Sequence, residues 1–128
     1  MTKPLALIFY ESLLAGNQLI NRLSDLDYRT QIVGDIGQLH AQAAREMPLV
    51  VLTELGALAE RVCVAIRSLR AESGTAHIPV VAYLSTKDRK EEDRLTGQAR
   101  AAGATVVVSE AALLAHLGTV LDQALQVD

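Results

Sequence analysis

A single cysteine, Cys63, stands in this chain of 128 residues, which excludes an intrachain disulfide and any cysteine-rich metal cluster. Positive charge is also scarce. Twelve Lys and Arg against fifteen Asp and Glu give a net charge of -3, and that balance offers no electrostatic case for nucleic acid or an anionic membrane. No apolar run is long enough to cross a bilayer, and Met1-Thr2-Lys3-Pro4 leads into a strand-like run without a small-residue cleavage site, so neither a spanning helix nor a signal peptide is expected. Glycines do not cluster where phosphate would need them. The first strand-to-helix loop, Tyr10-Glu11-Ser12-Leu13-Leu14, has none, and no Walker, dinucleotide or nucleophile-elbow pattern occurs. His40, His77 and His116 fall in separate elements without acidic or cysteine neighbours at ligand spacing, which argues against a metal or catalytic role. The expectation is a cytoplasmic protein that is not an enzyme and binds neither nucleic acid nor membrane.

What is present is a globular composition, half hydrophobic and 21% charged, in a length that suits one domain over residues 1–128. The organising stretch is Pro48-Leu49-Val50-Val51-Leu52-Thr53-Glu54-Leu55, an apolar, β-branched run that reads as a strand buried on both faces. Its proline stands at the entrance, outside the hydrogen-bonded ladder. It ends on Glu54, at the carboxyl edge where open α/β sheets place their sites.

The remaining elements alternate around this strand. Strands are expected at 5–10, 28–33, 78–84 and 105–108. A helix over 12–24 carries Leu13, Leu14, Ile20 and Leu23 at near-helical spacing, and a shorter one over 36–46 faces inward with Ile36, Leu39, Ala43 and Met47. A third helix has Leu58, Val62, Ile66 and Leu69 on its inner side, with Cys63 as a buried thiol beside them. It ends in Arg67 and Arg70 before Gly74. The charged segment from Ser85 to Arg94 reads as a solvated loop and the first turns of an exposed helix with a thin seam of Leu95, Ala99 and Ala102, capped by Gly103. A final amphipathic helix over 111–125 presents Leu113, Leu114, Leu117, Val120, Leu121 and Leu125. Five strands alternating with five helices, without linkers or repeats, predict a flavodoxin-like, doubly wound parallel sheet of order 2-1-3-4-5 with helices on both faces.

With that frame, the chain resembles the receiver domains of response regulators along its whole length. Pro48 to Glu54 overlays the strand that carries the phospho-accepting aspartate and puts Glu54 on the acceptor position; a register shifted by one puts Thr53 there. Ile66-Arg67-Ser68-Leu69-Arg70, Ile78-Pro79-Val80-Val81-Ala82 and Ala102-Gly103-Ala104 match the third helix, the fourth strand and the approach to the fifth. The resemblance implies a phosphorylation site whose parts have changed. The acidic pair becomes Tyr10-Glu11, the hydroxyl position Leu84 with Ser85 beside it, the aromatic switch Val108, and the lysine Glu110. Glu54 is one methylene longer than aspartate, which carries its oxygens past an in-line position. An aromatic at Tyr10 is expected to fill the vacated metal site.

The resemblance therefore implies a stand-alone pseudo-receiver acting by phosphorylation-independent protein–protein contact. Two alternatives differ in class: a receiver with residual metal-dependent phosphoryl acceptance, and an unrelated small α/β enzyme domain. No cofactor is expected, with at most weak magnesium binding through Glu11 and Glu54, joined by Glu110 if the three converge. The implied partners are signalling proteins such as a histidine kinase or an output protein, or a second copy of the chain, met through a face that includes Arg89, Lys90 and Arg94.

Overall fold

The computed structural model describes residues 3–126. Five strands form one parallel sheet: β1 (Leu5–Phe9), β2 (Arg29–Ile32), β3 (Val50–Leu55), β4 (Val80–Leu84) and β5 (Val106–Ser109), in the order β2-β1-β3-β4-β5. This is the predicted flavodoxin-like topology. The helices are α1 (Leu13–Asp25), α2 (Leu39–Glu46), α3 (Ala59–Ala71), α4 (Arg89–Ala102), α5 (Glu110–Ala115) and α6 (Leu117–Leu125). Every residue of β1, β3 and β4 is buried, as a strand covered by helices on both faces must be. The edge strand β5 is only half-buried along its length.

Strand alternation divides the core into two layers. Leu5, Leu7, Phe9, Val51, Leu55, Val80, Ala82 and Leu84 face α2, α3 and α4, whereas Ala6, Ile8, Val50, Leu52, Val81 and Tyr83 face α1, α5 and α6. Cys63 lies in the first layer as expected.

Several sequence expectations are corrected. Leu13 and Leu14 are 67% and 71% exposed, while Ala15, Gly16, Leu19 and Leu23 form the buried face of α1. The helix begins at Leu13, so its first residues extend past the carboxyl edge of the sheet and have no layer to enter. Met47 also points outward, because it closes α2 in the left-handed region at φ 48° and turns away from the helix's inner face. Residues 36–38 form a single 3-10 turn before α2, with Asp35 accepting a 2.9 Å hydrogen bond from the Gly37 amide. The last helix breaks at His116, whose φ of -132° and ψ of 39° are not helical, so α5 and α6 meet at an angle over a shared core of Leu113, Leu117, Val120 and Leu121.

The amino-terminal edge of the sheet is tied by one guanidinium. Arg70, in the last turn of α3, donates Nε to the Gly103 carbonyl at 2.9 Å and Nη1 to the carbonyls of Ala76 and Ile78 at 2.8 and 2.7 Å. Its Nη2 donates to Oγ1 of Thr105 at 3.2 Å, and that oxygen also accepts from the Val80 amide at 3.0 Å. Gly103 ends α4 at φ 115°, and a Cβ there would stand 2.7 Å from Cγ of Arg70. Helix end, loop entry and glycine are thus fitted to the same side chain. Arg70→Met leaves these acceptors without their charged donor, and each such bond is worth roughly 1.5–3 kcal/mol. We expect a loss of about 2–4 kcal/mol in urea unfolding. Arg70→Lys should recover only part of it, because an ammonium cannot reproduce the planar fork.

Candidate functional site

The carboxyl edge of β3 carries Glu54, 3% exposed. A buried carboxylate needs donors, and here the backbone supplies them. The amides of Glu11 and Ser12, in the loop between β1 and α1, donate to Oε1 of Glu54 at 3.0 and 3.1 Å. Glu11 in turn accepts through Oε2 from the Leu58 amide at 3.2 Å. The two side chains converge over Gly56: a Cβ there would lie 2.7 Å from Oε2 of Glu11 and 3.0 Å from Oε2 of Glu54. The glycine is what lets both carboxylates close over the backbone.

Beside Glu54, in direct register across the ladder, is Tyr83 of β4, followed by Val108 of β5. The three form one row on the α1/α5 face. Tyr83 is 1% exposed, and its hydroxyl is turned to the Glu54 carboxylate, which accepts from it. Burial raises its pKa far above the usual tyrosine value, and the charges of Glu54, Glu110 and Glu11 push it further. The aromatic side chain that Val108 lacks is therefore present one strand inward. Thr53 is fully buried on the opposite face among Val51 and Leu55, with Oγ1 unpartnered, so the shifted register brings no hydroxyl to this site.

The ring of Tyr10 lies over Gly16 of α1, where a Cβ would meet Cδ2 at 2.3 Å. Leu84 is buried in the other layer. Ser85 lines a cavity of about 320 Å³ with Lys87 and Glu110. Glu110 opens α5, whose first turn is capped by Ser109 accepting from the Ala112 amide at 3.1 Å. Burial raises the Glu110 pKa, the charge of Glu54 adds to the rise, and Lys87 opposes it.

Glu11 and Glu54 are thus brought together, with Glu110 within their electrostatic reach. One oxygen of each of Glu11 and Glu54 is engaged by backbone amides, and among the described residues no group of three or more His, Cys, Asp or Glu is disposed to hold a metal ion. Magnesium demands near-ideal octahedral oxygen ligation.

Sequence reasoning missed three residues here. Tyr83 was within reach, since alternation along β4 and parallel register place it beside Glu54. Gly56 carried the signal of a glycine two residues past a strand-end acid. Lys87 was absorbed into a run of mixed charge. Away from the site, His40 does meet an acid: its Nε2 lies 3.1 Å from Glu72 Oε2, a pairing across distant elements that no spacing rule reveals. Arg89, Lys90 and Arg94 are exposed on α4, with Arg94 paired to Glu91 one turn earlier.

Glu110 gives the site a pH signature. Because its folded pKa is raised above the ordinary 4.5, its favourable contribution is complete below that value and is lost as pH rises through the folded one. Glu110→Gln removes this step, so the variant should gain melting temperature over the parent at neutral pH and not in acid. Glu110→Lys should add roughly 0.5–1 kcal/mol at neutral pH by placing a cation near Glu54. Thermal scans across pH check both.

No protein-family model matches this sequence, and no curated protein does. Solved structures do. The receiver domain of a sensor histidine kinase from Pseudomonas aeruginosa, determined with a magnesium ion coordinated in its active-site cleft, superposes at a TM-score of 0.79 with 20% identity over 97% of this chain and 98% of that one. The chemotaxis protein CheY4 of Vibrio cholerae gives 0.78 with 15% identity over 96% and 99%. A response regulator from Thermotoga maritima gives 0.77 with 17% identity over 97% and 98%. Strand order, helix placement and full-length coverage agree: this chain has the receiver-domain fold.

Proposed function

We propose that the chain is a receiver-like signalling module that works without phosphorylation, as a cytoplasmic pseudo-receiver recognised by other proteins. One observation carries the reading. One oxygen at the acceptor position, Oε1 of Glu54, already accepts hydrogen bonds from the Glu11 and Ser12 amides. An acceptor carboxylate must be free to attack phosphorus in line, and its surroundings must offset the incoming charge. Here Glu11 and Glu110 add negative charge instead. Leu84 supplies no hydroxyl, and Val108 supplies no aromatic ring to move.

Glu54 in this arrangement is a fixed anchor for the loop between β1 and α1. The module therefore has one resting state, and its information lies in what binds it. Partners of the histidine-kinase or output-protein type fit this role. The exposed α4 surface offers one face for them or for a second copy, because Arg89, Lys90 and Arg94 alternate with acids in a way that suits a rim fixing register. No helix among the described residues is long and apolar enough to cross a membrane.

Two experiments test the reading. Incubation with acetyl phosphate and magnesium should leave the intact mass unchanged, and beryllofluoride should leave the amide spectrum unchanged. A stoichiometric acid-labile phosphate on Glu54 would overturn the proposal. For the α4 face, reversing Arg89, Lys90 and Arg94 to glutamate should weaken self-association or partner capture by roughly tenfold, as read by light scattering and pull-down. Unchanged mass and unchanged capture would remove that face.

A further inference from the structure

The outer face of α3 is built as a ridge between two grooves. Arg61, Val64 and Arg67 recur at every third residue, so their side chains form one oblique row on the helix. All three are exposed, Val64 to 58%. On one side of the row a cavity of about 300 Å³ opens toward α2, with Arg61, Val64 and Ser68 facing Ile36 and His40 across it. On the other side a cavity of about 310 Å³ opens toward α4, with Glu60, Cys63, Val64 and Arg67 on one wall and Gln98 on the other. Val64 belongs to both cavities.

The polar groups along this face are incompletely matched. Ion pairs among the described residues join Lys3 to Asp27, His40 to Glu72, Arg45 to Glu46 and Arg94 to Glu91, and neither Arg61 nor Arg67 takes part in one. Two acids stand near the ridge. Glu72 lies against His40, and Glu60 lines the second groove alongside Arg67 without pairing with it. That groove also holds an unmet acceptor, because Oε1 of Gln98 is buried and has no hydrogen-bond partner. A buried polar atom without a partner is uncommon in a folded protein, and this one lies where a second molecule would close the groove.

We propose that this face of α3 docks an acidic amphipathic helix of a protein partner. The inference rests on the reading of the chain as an interaction module and names the surface and the chemistry that recognises it. A helix presents rows of side chains that seat in the grooves on either side of a facing ridge. Arg61 and Arg67 start from positions about 9 Å apart along α3, at 1.5 Å per residue. Carboxylates at i and i+7 of a facing helix stand about 10 Å apart, so one helix meets both guanidinium forks with charge-assisted bonds. A leucine at i+4, between the two acids, falls over Val64. That exposed aliphatic centre favours a protein over a nucleic acid or a free anion, since an apolar middle with a charged rim is the anatomy of a protein interface. The surface uses none of Arg89, Lys90 and Arg94.

The test is an amide-resolved NMR titration of the full chain at low ionic strength with a cross-linked, alanine-based helical peptide. The peptide carries Glu at i and i+7 and Leu at i+4. Saturable shifts are expected at Arg61, Val64, Arg67 and Ser68 and at the Gln98 side-chain amide, with a Kd on the order of millimolar or below. The same peptide with Gln for both Glu should bind about tenfold more weakly, and so should the parent peptide to Arg61→Gln with Arg67→Gln. Val64→Ser should weaken binding several-fold. The peptide variants probe the same contacts on the unaltered chain, so the result does not depend on how well the protein variants fold. Absence of saturable shifts, shifts centred on another face, or equal binding of the Gln peptide would overturn the proposal. Glutarate moving the same amides as tightly as the peptide would assign the grooves to a small organic acid. Concentration-dependent shifts at α3 without peptide would assign the face to a second copy; either result overturns the helix assignment. These outcomes are independent of the acetyl phosphate result and of the α4 reversal, so this face and the wider functional reading fail separately.

Discussion

A carboxylate buried at the end of a strand covered on both faces must find donors or lose its charge, and the way Glu54 meets that requirement shapes the whole functional edge. It draws in the amides of Glu11 and Ser12, which fixes the turn into α1. The turn directs Glu11 back over Gly56 to the Leu58 amide, which fixes the entry to α3. Two loops from opposite layers are therefore joined by two glutamates. The longer side chain of glutamate makes this possible, since its extra methylene lets the oxygens reach across to the neighbouring loop.

At the other edge of the sheet the sign of the charge is reversed but the logic is the same. Arg70 gathers carbonyls from the segments that precede β4 and β5, as Glu54 gathers amides from the segments that follow β1. Parallel sheets bring all strand starts to one edge and all strand ends to the other. One half-buried cation at the first edge and one buried anion at the second can therefore hold several connections at once. The sheet in between needs only apolar contact, and its central strands supply little else.

The fold was legible because the signals that define it are repetitive. Alternating apolar runs and three-to-four-residue spacings survive any single exception, and Gly103 marks its helix end unambiguously. The failures came where an element ends. Leu13 and Leu14 have helical spacing but lie beyond the sheet, Met47 follows the inner face of α2 by count yet leaves it by backbone conformation, and His116 interrupts a periodicity that the leucines on either side maintain. In the site, Glu11, Glu54 and Glu110 could be placed from the frame, because strand ends meet at one edge. What each touches could not, since the anchoring partners are backbone amides, which have no signature in sequence. Tyr83 was the avoidable omission: register alone sets it beside Glu54.

The seat of Tyr10 on α1 ties two positions of the chain into one choice. Glycine within a helix costs roughly 1 kcal/mol relative to alanine, so Gly16 is kept against local preference by the ring that lies 2.3 Å from where its Cβ would be. An aromatic side chain at position 10 as it is seated here and the absence of a side chain at position 16 therefore require each other. A lineage that exchanges Tyr10 for a small residue releases position 16 to alanine, and one that fills position 16 first must surrender the ring. Sterics, and not chemistry, couple the two positions in this chain.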